Sequence, residues 1–123
     1  NACEYCVAHH GPRMTRQGFN SDAFDQLLED RVPGFDEVDL LVRDYSVQVT
    51  NNFQYMRDEI FERLKIHFSE EQIFELTFRI ALCGFFNRVN DALQISMENG
   101  VIDDLVSVGG SLEGLPNIAT GKI

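Results

Sequence analysis

The sequence lacks several features that define common classes of protein. Its longest apolar run, "IALCGFF", is about seven residues, well short of the roughly 20 that a membrane-spanning helix needs. It has only 10 Lys and Arg against 20 Asp and Glu, and the net charge of −10 disfavours nucleic-acid phosphates and anionic membrane surfaces. Its 3 cysteines are too few, and odd in number, for a secreted disulfide framework. We therefore expect no nucleic-acid or membrane partner and a reducing, cytoplasmic location.

What is present predicts an all-α protein. The 123 residues are 44% hydrophobic and include 10 Phe, enough to bury a core in one domain. Apolar residues recur at helical spacing, and Gly18 and Pro33-Gly34 mark helix stops and turns. Predicted helices cover residues 4–17, 22–30, 36–50, 56–67 and 70–96. We expect a helical domain over residues 1–100 and an irregular, glycine-containing C-terminal arm over residues 101–123.

The last predicted helix has the clearest start signal and the least usual composition. Ser69 and Gln72 in "SEEQ" form a capping-box pattern. Apolar residues then surround the helix axis, which is typical of a helix buried on all sides. In so small a domain this predicts a buried C-terminal helix that also contacts another subunit. Cys83 lies between Leu82 and Gly84 in this helix and is predicted to be a core residue.

The opening stretch, "NACEYCVAHH", concentrates chemically reactive side chains. On a helix, Cys3, Cys6 and His10 share one face, with His9 about 60° further round. Cysteines three residues apart on a helix are close enough for a disulfide. The first turn of a helix stabilises a thiolate, so we expect a lowered thiol pKa. A dithiol of this kind can reduce a peroxide, because the sulfenic acid formed on one sulfur condenses with the other.

Several alternatives remain open for these residues. Zinc needs four tetrahedral ligands, which one short helix rarely supplies, so a metal clip is the rival interpretation. His9 competes with His10 as the imidazole that moves a proton. Glu75 either pairs with Arg79 one turn later or serves as an accessory carboxylate. The polar stretch "NRVND" (residues 87–91) is either a solvent-facing helix end or the wall of a pocket.

The motif and the late helix together resemble a known family. "ACEYCVAHHG" and "ELTFRIALCGFFNRVNDAL" are similar to the carboxymuconolactone decarboxylase superfamily, in its alkylhydroperoxidase AhpD-like branch, over roughly residues 1–97. The resemblance implies an AhpD-like helical bundle and an obligate homo-oligomer. It also implies that Cys6 is the peroxidatic nucleophile, Cys3 the resolving thiol and His10 the proton relay.

The resemblance also carries a functional expectation and one departure. The family uses a glutamate about a dozen residues before the first cysteine, and this sequence has no counterpart because Cys3 is its third residue. We therefore expect the helical domain to lack its N-terminal part here. The implied function is a thiol-dependent hydroperoxide reductase that needs no tightly bound cofactor or metal and is re-reduced by an external dithiol or protein reductant. The alternatives are a decarboxylase-like lyase and a non-catalytic redox-sensing or metal-binding oligomer.

Overall fold

The structure, a computed structural model, describes residues 3–19, 23 and 25–112. Within these residues the regular secondary structure is helical and no strand occurs, which confirms the all-α class. The elements are α1 (Glu4–Arg16), α2 (Glu37–Asn52), a single 3₁₀ turn (Phe53–Tyr55), α3 (Asp58–His67), α4 (Glu70–Ala92) and α5 (Val101–Ser107).

Side-chain caps explain why two of these helices begin where they do. The Ser69 hydroxyl accepts a hydrogen bond from the Gln72 amide at 3.3 Å, and Gln72 Oε1 accepts one from the Ser69 amide at 2.9 Å. This confirms the predicted capping box, which satisfies two amides that the first turn of α4 leaves unpaired. Asp36 and Asp39 form an equivalent reciprocal cap at the start of α2. Gly18, with φ of 98°, follows α1 as predicted, in a conformation that favours glycine.

Three predicted helix boundaries need correction or lie partly outside the described residues. Of the helix predicted over residues 22–30, Ala23 and Asp25 are helical and positions 26–30 form turns and bends, whereas Asp22 and Phe24 are outside the described ranges. The break predicted at residues 50–52 falls later, because α2 continues to Asn52. The helix predicted to reach residue 96 ends at Ala92, where Gln94 has a φ of 51° and stops propagation.

The main core lies where α2, α3 and α4 meet. Five buried side chains form it: Leu41, Tyr45, Ile60, Leu64 and Ile73. The Tyr45 hydroxyl lies 2.7 Å from Thr77 Oγ1, so its polar end is satisfied inside this apolar cluster. The N-terminal half of α4 contacts this core through one face, and its C-terminal half contacts α1.

The segment after Gly100 is more ordered than its composition indicates. Residues 101–107 form α5, so the prediction of an irregular arm is wrong there, and residues 113–123 lie outside the described ranges. α5 packs on α1 and buries Leu105 to 1% exposure. Arg16 Nη2 donates to both carboxylate oxygens of Asp104, at 2.8 and 2.9 Å. Periodicity failed here because a seven-residue helix is too short to display it.

The part of the chain that the structure describes does not bury the long helix α4 on all sides. Only Ile73, Gly84 and Asn87 are buried along it. One stripe on the opposite side is exposed: Phe74 (73%), Phe78 (55%), Leu82 (37%), Phe85 (57%) and Phe86 (50%). Cys83 is exposed as well, so its prediction as a core residue is wrong. The helix has two apolar faces, and the described residues cover one of them.

No described helix is both long enough and apolar enough to cross a membrane.

Candidate functional site

The start of α1 brings the two cysteines together. Cys3 is the N-cap residue, in extended conformation, and Cys6 lies in the first turn. Their sulfurs are 3.0 Å apart, with the Cys3 thiol donating towards Cys6. Both are free thiols; Cys3 is 2% exposed, whereas Cys6 is only partly buried. Thus the pair predicted from C-x-x-C spacing exists, with Cys6 as its more accessible member.

A third side chain at this site comes from α4. Asn87 Nδ2 donates a hydrogen bond to Cys6 Sγ at 2.6 Å, and Asn87 is buried to 7% exposure. Sequence reasoning treated Asn87 as part of a polar stretch and did not assign it to the thiols. The sequence did carry one signal for this role: a side-chain amide in the middle of an apolar helix needs a hydrogen-bond partner when it is buried. Cys6 supplies that partner where α1 crosses α4.

The environment of Cys6 favours the thiol over the thiolate. Burial, the hydrogen bond and charge shared with Cys3, and the negative charge of Asp91 raise the pKa of Cys6 to about 12. The amide of Asn87 opposes this shift because it stabilises the thiolate. The expectation of a lowered pKa is therefore wrong for Cys6, because burial and the second thiol outweigh the first-turn amides and helix dipole.

His10 lies one turn after Cys6 on α1, as predicted. Residues four apart on a helix have Cβ atoms roughly 6 Å apart, so His10 and Cys6 lie on the same side of α1. His10 is exposed, but the atoms packed beside its ring, and then the positive charges of Arg13 and His9, lower its pKa below the ordinary value of 6.5. A neutral imidazole, able to accept a proton, is therefore present at pH 7.

His9 is held in a different arrangement. Its Nε2 lies 3.1 Å from Glu98 Oε2, its Nδ1 lies 2.7 Å from the carbonyl of Tyr5, and its ring stacks on Tyr5. The Tyr5 hydroxyl donates to the other oxygen of Glu98 at 2.6 Å. This hydrogen bond, and less strongly the negative charge of Glu98, raise the pKa of Tyr5, and the same hydrogen bond lowers the pKa of Glu98. Both ring nitrogens of His9 are engaged, so His9 serves to fasten α1 to the segment before α5.

Glu75 does not reach the thiols. Its Oε1 accepts from Arg79 Nε and Nη2, at 3.0 and 2.8 Å, on the exposed side of α4. Twelve residues separate it from Asn87, a distance of about 18 Å along a helix axis. Of the two alternatives for Glu75, the structure shows the ion pair with Arg79 one turn later. The carboxylate that contacts His9 is instead Glu98, which the sequence did not indicate because no local pattern links residues 9 and 98.

The described residues offer little support for a metal clip. Among residues 3–19, 23 and 25–112, no three His, Cys, Asp or Glu side chains are grouped so that they could hold a metal ion. His9 is turned towards Glu98, and the two sulfurs point at each other. The arrangement can form and break one S–S bond, with an amide donor beside the accessible sulfur.

Comparison of the chain with protein-family models, with curated proteins and with solved structures finds no significant match.

Proposed function

We propose that the chain is a thiol-dependent hydroperoxide reductase of the AhpD-like kind, working in a reducing compartment such as the cytoplasm. The observation that carries this proposal is the 3.0 Å separation of the Cys3 and Cys6 sulfurs, one buried and one accessible. A dithiol reduces a peroxide cleanly only when a second thiol stands close enough to trap the sulfenic acid. Here the trapping thiol is already in contact.

The reaction proceeds in three balanced steps. The Cys6 thiolate attacks one peroxide oxygen, the O–O bond breaks, and the alcohol or water leaves after taking a proton, so Cys6 becomes a sulfenic acid. The Cys3 thiol then attacks the Cys6 sulfur, which forms the disulfide and releases water. An external dithiol or protein reductant returns both thiols and becomes oxidised itself. No bound cofactor takes part in these steps.

The neighbouring groups have distinct roles in this scheme. Because the pKa of Cys6 is raised to about 12, the first step needs a base, and we assign this role to neutral His10, one turn further along the same helix. Asn87 Nδ2 holds the Cys6 sulfur and stabilises its negative charge. His9 and Glu98 fasten the helix that carries the pair.

The test is catalytic consumption of peroxide. Purified protein is mixed with hydrogen peroxide or cumene hydroperoxide in excess dithiothreitol, and peroxide loss is followed against a protein-free blank. The proposal expects turnover beyond one equivalent per chain. Oxidation that stops at one equivalent, with dithiothreitol still in excess, would reject a catalytic role.

The contact between the Cys3 and Cys6 sulfurs favours a second candidate, a redox sensor. A sensor cysteine often stands next to a resolving cysteine, and the disulfide that they form is the oxidised state of the switch. In that case the disulfide would form once and persist until a reductant removes it. The rate in the same assay separates the two functions, because dithiothreitol reduces both disulfides again, but only a reductase consumes peroxide much faster than dithiothreitol alone.

We also propose that the exposed stripe of α4 binds a second copy of this chain. Its five large side chains expose roughly 500 Å² of apolar surface, if a fully exposed one offers about 200 Å². A stable interface buries about 800 Å² per partner, so the stripe alone supplies more than half of that. The four-residue spacing of Phe74, Phe78 and Leu82, continued at Phe85, forms a straight seam suited to another helix.

Glutamates introduced into the exposed stripe of α4 should dissociate the two copies. Replacing Phe78 and Phe85 together by glutamate is expected to convert an oligomer to a monomer at about 100 µM, because each interface would bury unpaired charges. Light scattering coupled to size exclusion measures the mass. Leu28→Glu is the control, since Leu28 is 76% exposed but lies off the stripe. A wild-type chain that is monomeric at this concentration would contradict the proposal.

A further inference from the structure

A second candidate binding site lies between α2 and α4, in a cavity whose lining includes no cysteine. Its volume is about 310 Å³, within the range of small-ligand sites. Most of its wall is apolar or small: Val49, Thr50, Phe53, Ile80, Ala81 and Gly84. Phe53 in this wall is 65% exposed, so the cavity is open to solvent on that side.

One cation completes the wall. Arg88 is the single charged residue lining the cavity, and its Nη1 donates to the carbonyl of Gly84 at 2.8 Å. A methyl group on Gly84 would lie only 3.0 Å from that nitrogen, so glycine leaves the guanidinium room to lie along the helix. Within the part of the chain that the structure describes, Arg88 forms no ion pair.

Arg13, Arg31, Arg57 and Arg63 also form no ion pair among the described residues, and Arg88 is the arginine that lines this cavity. The remaining donors of its guanidinium are available to an anion, and a carboxylate matches their planar geometry. The Thr50 hydroxyl offers a further polar contact on the α2 side of the same cavity. The remainder of the wall can contact only an apolar group favourably.

We propose that this cavity binds a small amphipathic monocarboxylate, with its carboxylate on Arg88 and its apolar body against Val49, Phe53 and Ile80. At about 30 Å³ per non-hydrogen atom, the cavity holds roughly ten such atoms. A straight-chain acid of the size of octanoate fills it. The proposal does not depend on the redox function, because it rests on a different set of residues.

The test is calorimetric titration of the full chain with sodium octanoate under reducing conditions. We expect saturable binding of one octanoate per chain. Arg88→Gln should weaken binding by at least about tenfold, since it removes a charge-assisted contact. Arg79→Gln is the matched control and should change binding less than twofold, because Arg79 lies two turns away and pairs with Glu75.

Two further ligands separate the contributions of charge and apolar surface. Acetate carries the charge without the apolar body, and octan-1-ol carries the apolar body without the charge, so both should bind at least about tenfold more weakly than octanoate. Circular dichroism shows whether each variant is folded. The proposal is overturned by absence of saturable octanoate binding, by equal affinity of folded Arg88→Gln, or by acetate binding as tightly as octanoate.

Discussion

Replacing Cys6 by serine should lower the rate of peroxide consumption in excess dithiothreitol by at least about a hundredfold. The reacting species is a thiolate, and a serine hydroxyl neither ionises near neutral pH nor attacks an O–O bond at a comparable rate. Cys6 is the more accessible sulfur of the pair, so no other thiol at the site can substitute for it efficiently. Peroxide loss under identical protein and dithiothreitol concentrations measures the effect.

Two further cysteine variants test whether this effect is specific to Cys6. Cys3→Ser should retain the first oxidation of Cys6 but yield no intramolecular disulfide, and the sulfenic acid should progress to a sulfinic acid at high peroxide. Cys83→Ser is the matched control and should keep the wild-type rate, because Cys83 is exposed on α4 away from the pair. Equal rates for Cys6→Ser and wild type would show that the nucleophile has been misassigned.

The pH dependence of Cys6 alkylation should be steep and should lack a plateau. With a pKa raised to about 12, the thiolate fraction rises tenfold per pH unit throughout the range from about pH 7 to 10. At pH 7 it is roughly a thousandfold below that of a thiol at the unperturbed value of 9.0. A more basic thiolate is also more nucleophilic, which raises the rate about 20-fold and offsets part of the thousandfold loss. Iodoacetamide should therefore react with Cys6 about 50-fold more slowly than with an ordinary thiol.

Substitutions around Cys6 should change this rate in opposite directions. Asp91→Asn removes a cause that raises the pKa of Cys6, so alkylation at pH 7 should become faster. Asn87→Ala removes the one cause that lowers it, so alkylation should become slower. Both variants are made with Cys83 replaced by serine, and peptide mass spectrometry assigns the label to Cys6. A plateau below about pH 9, or faster labelling of folded Asn87→Ala, would contradict the assigned environment.

Local sequence signals predicted the parts of the fold that local interactions determine. The capping box at Ser69 and Gln72, the stop at Gly18 and the inward positions Leu41, Tyr45, Ile60 and Leu64 were all predictable from spacing. Phe61 follows the inward-facing Ile60 directly, and it is 36% exposed and lies beneath Lys65 Nζ, which is 5.0 Å from the ring centroid. Helical periodicity identifies the buried face of a helix but does not tell whether a residue at the border of that face is buried or exposed.

The site was predictable in part for the same reason. Cys3 and Cys6 share a helix turn, so their spacing sufficed to bring the sulfurs together. Asn87 and Glu98 come from distant parts of the chain, and no spacing rule links them to α1. The exposed stripe of α4 was predicted to be covered, but apolar composition does not tell whether the cover comes from the same chain.

The most direct test of the account is the mass of the chain after one equivalent of peroxide. The reduced protein is treated in the absence of reductant, then alkylated, digested and analysed by mass spectrometry. The account predicts a loss of two hydrogens per chain, located in one peptide that links Cys3 to Cys6, with Cys83 still alkylated. A linkage between two chains, or oxygen retained on Cys6 while Cys3 remains a free thiol, would contradict it.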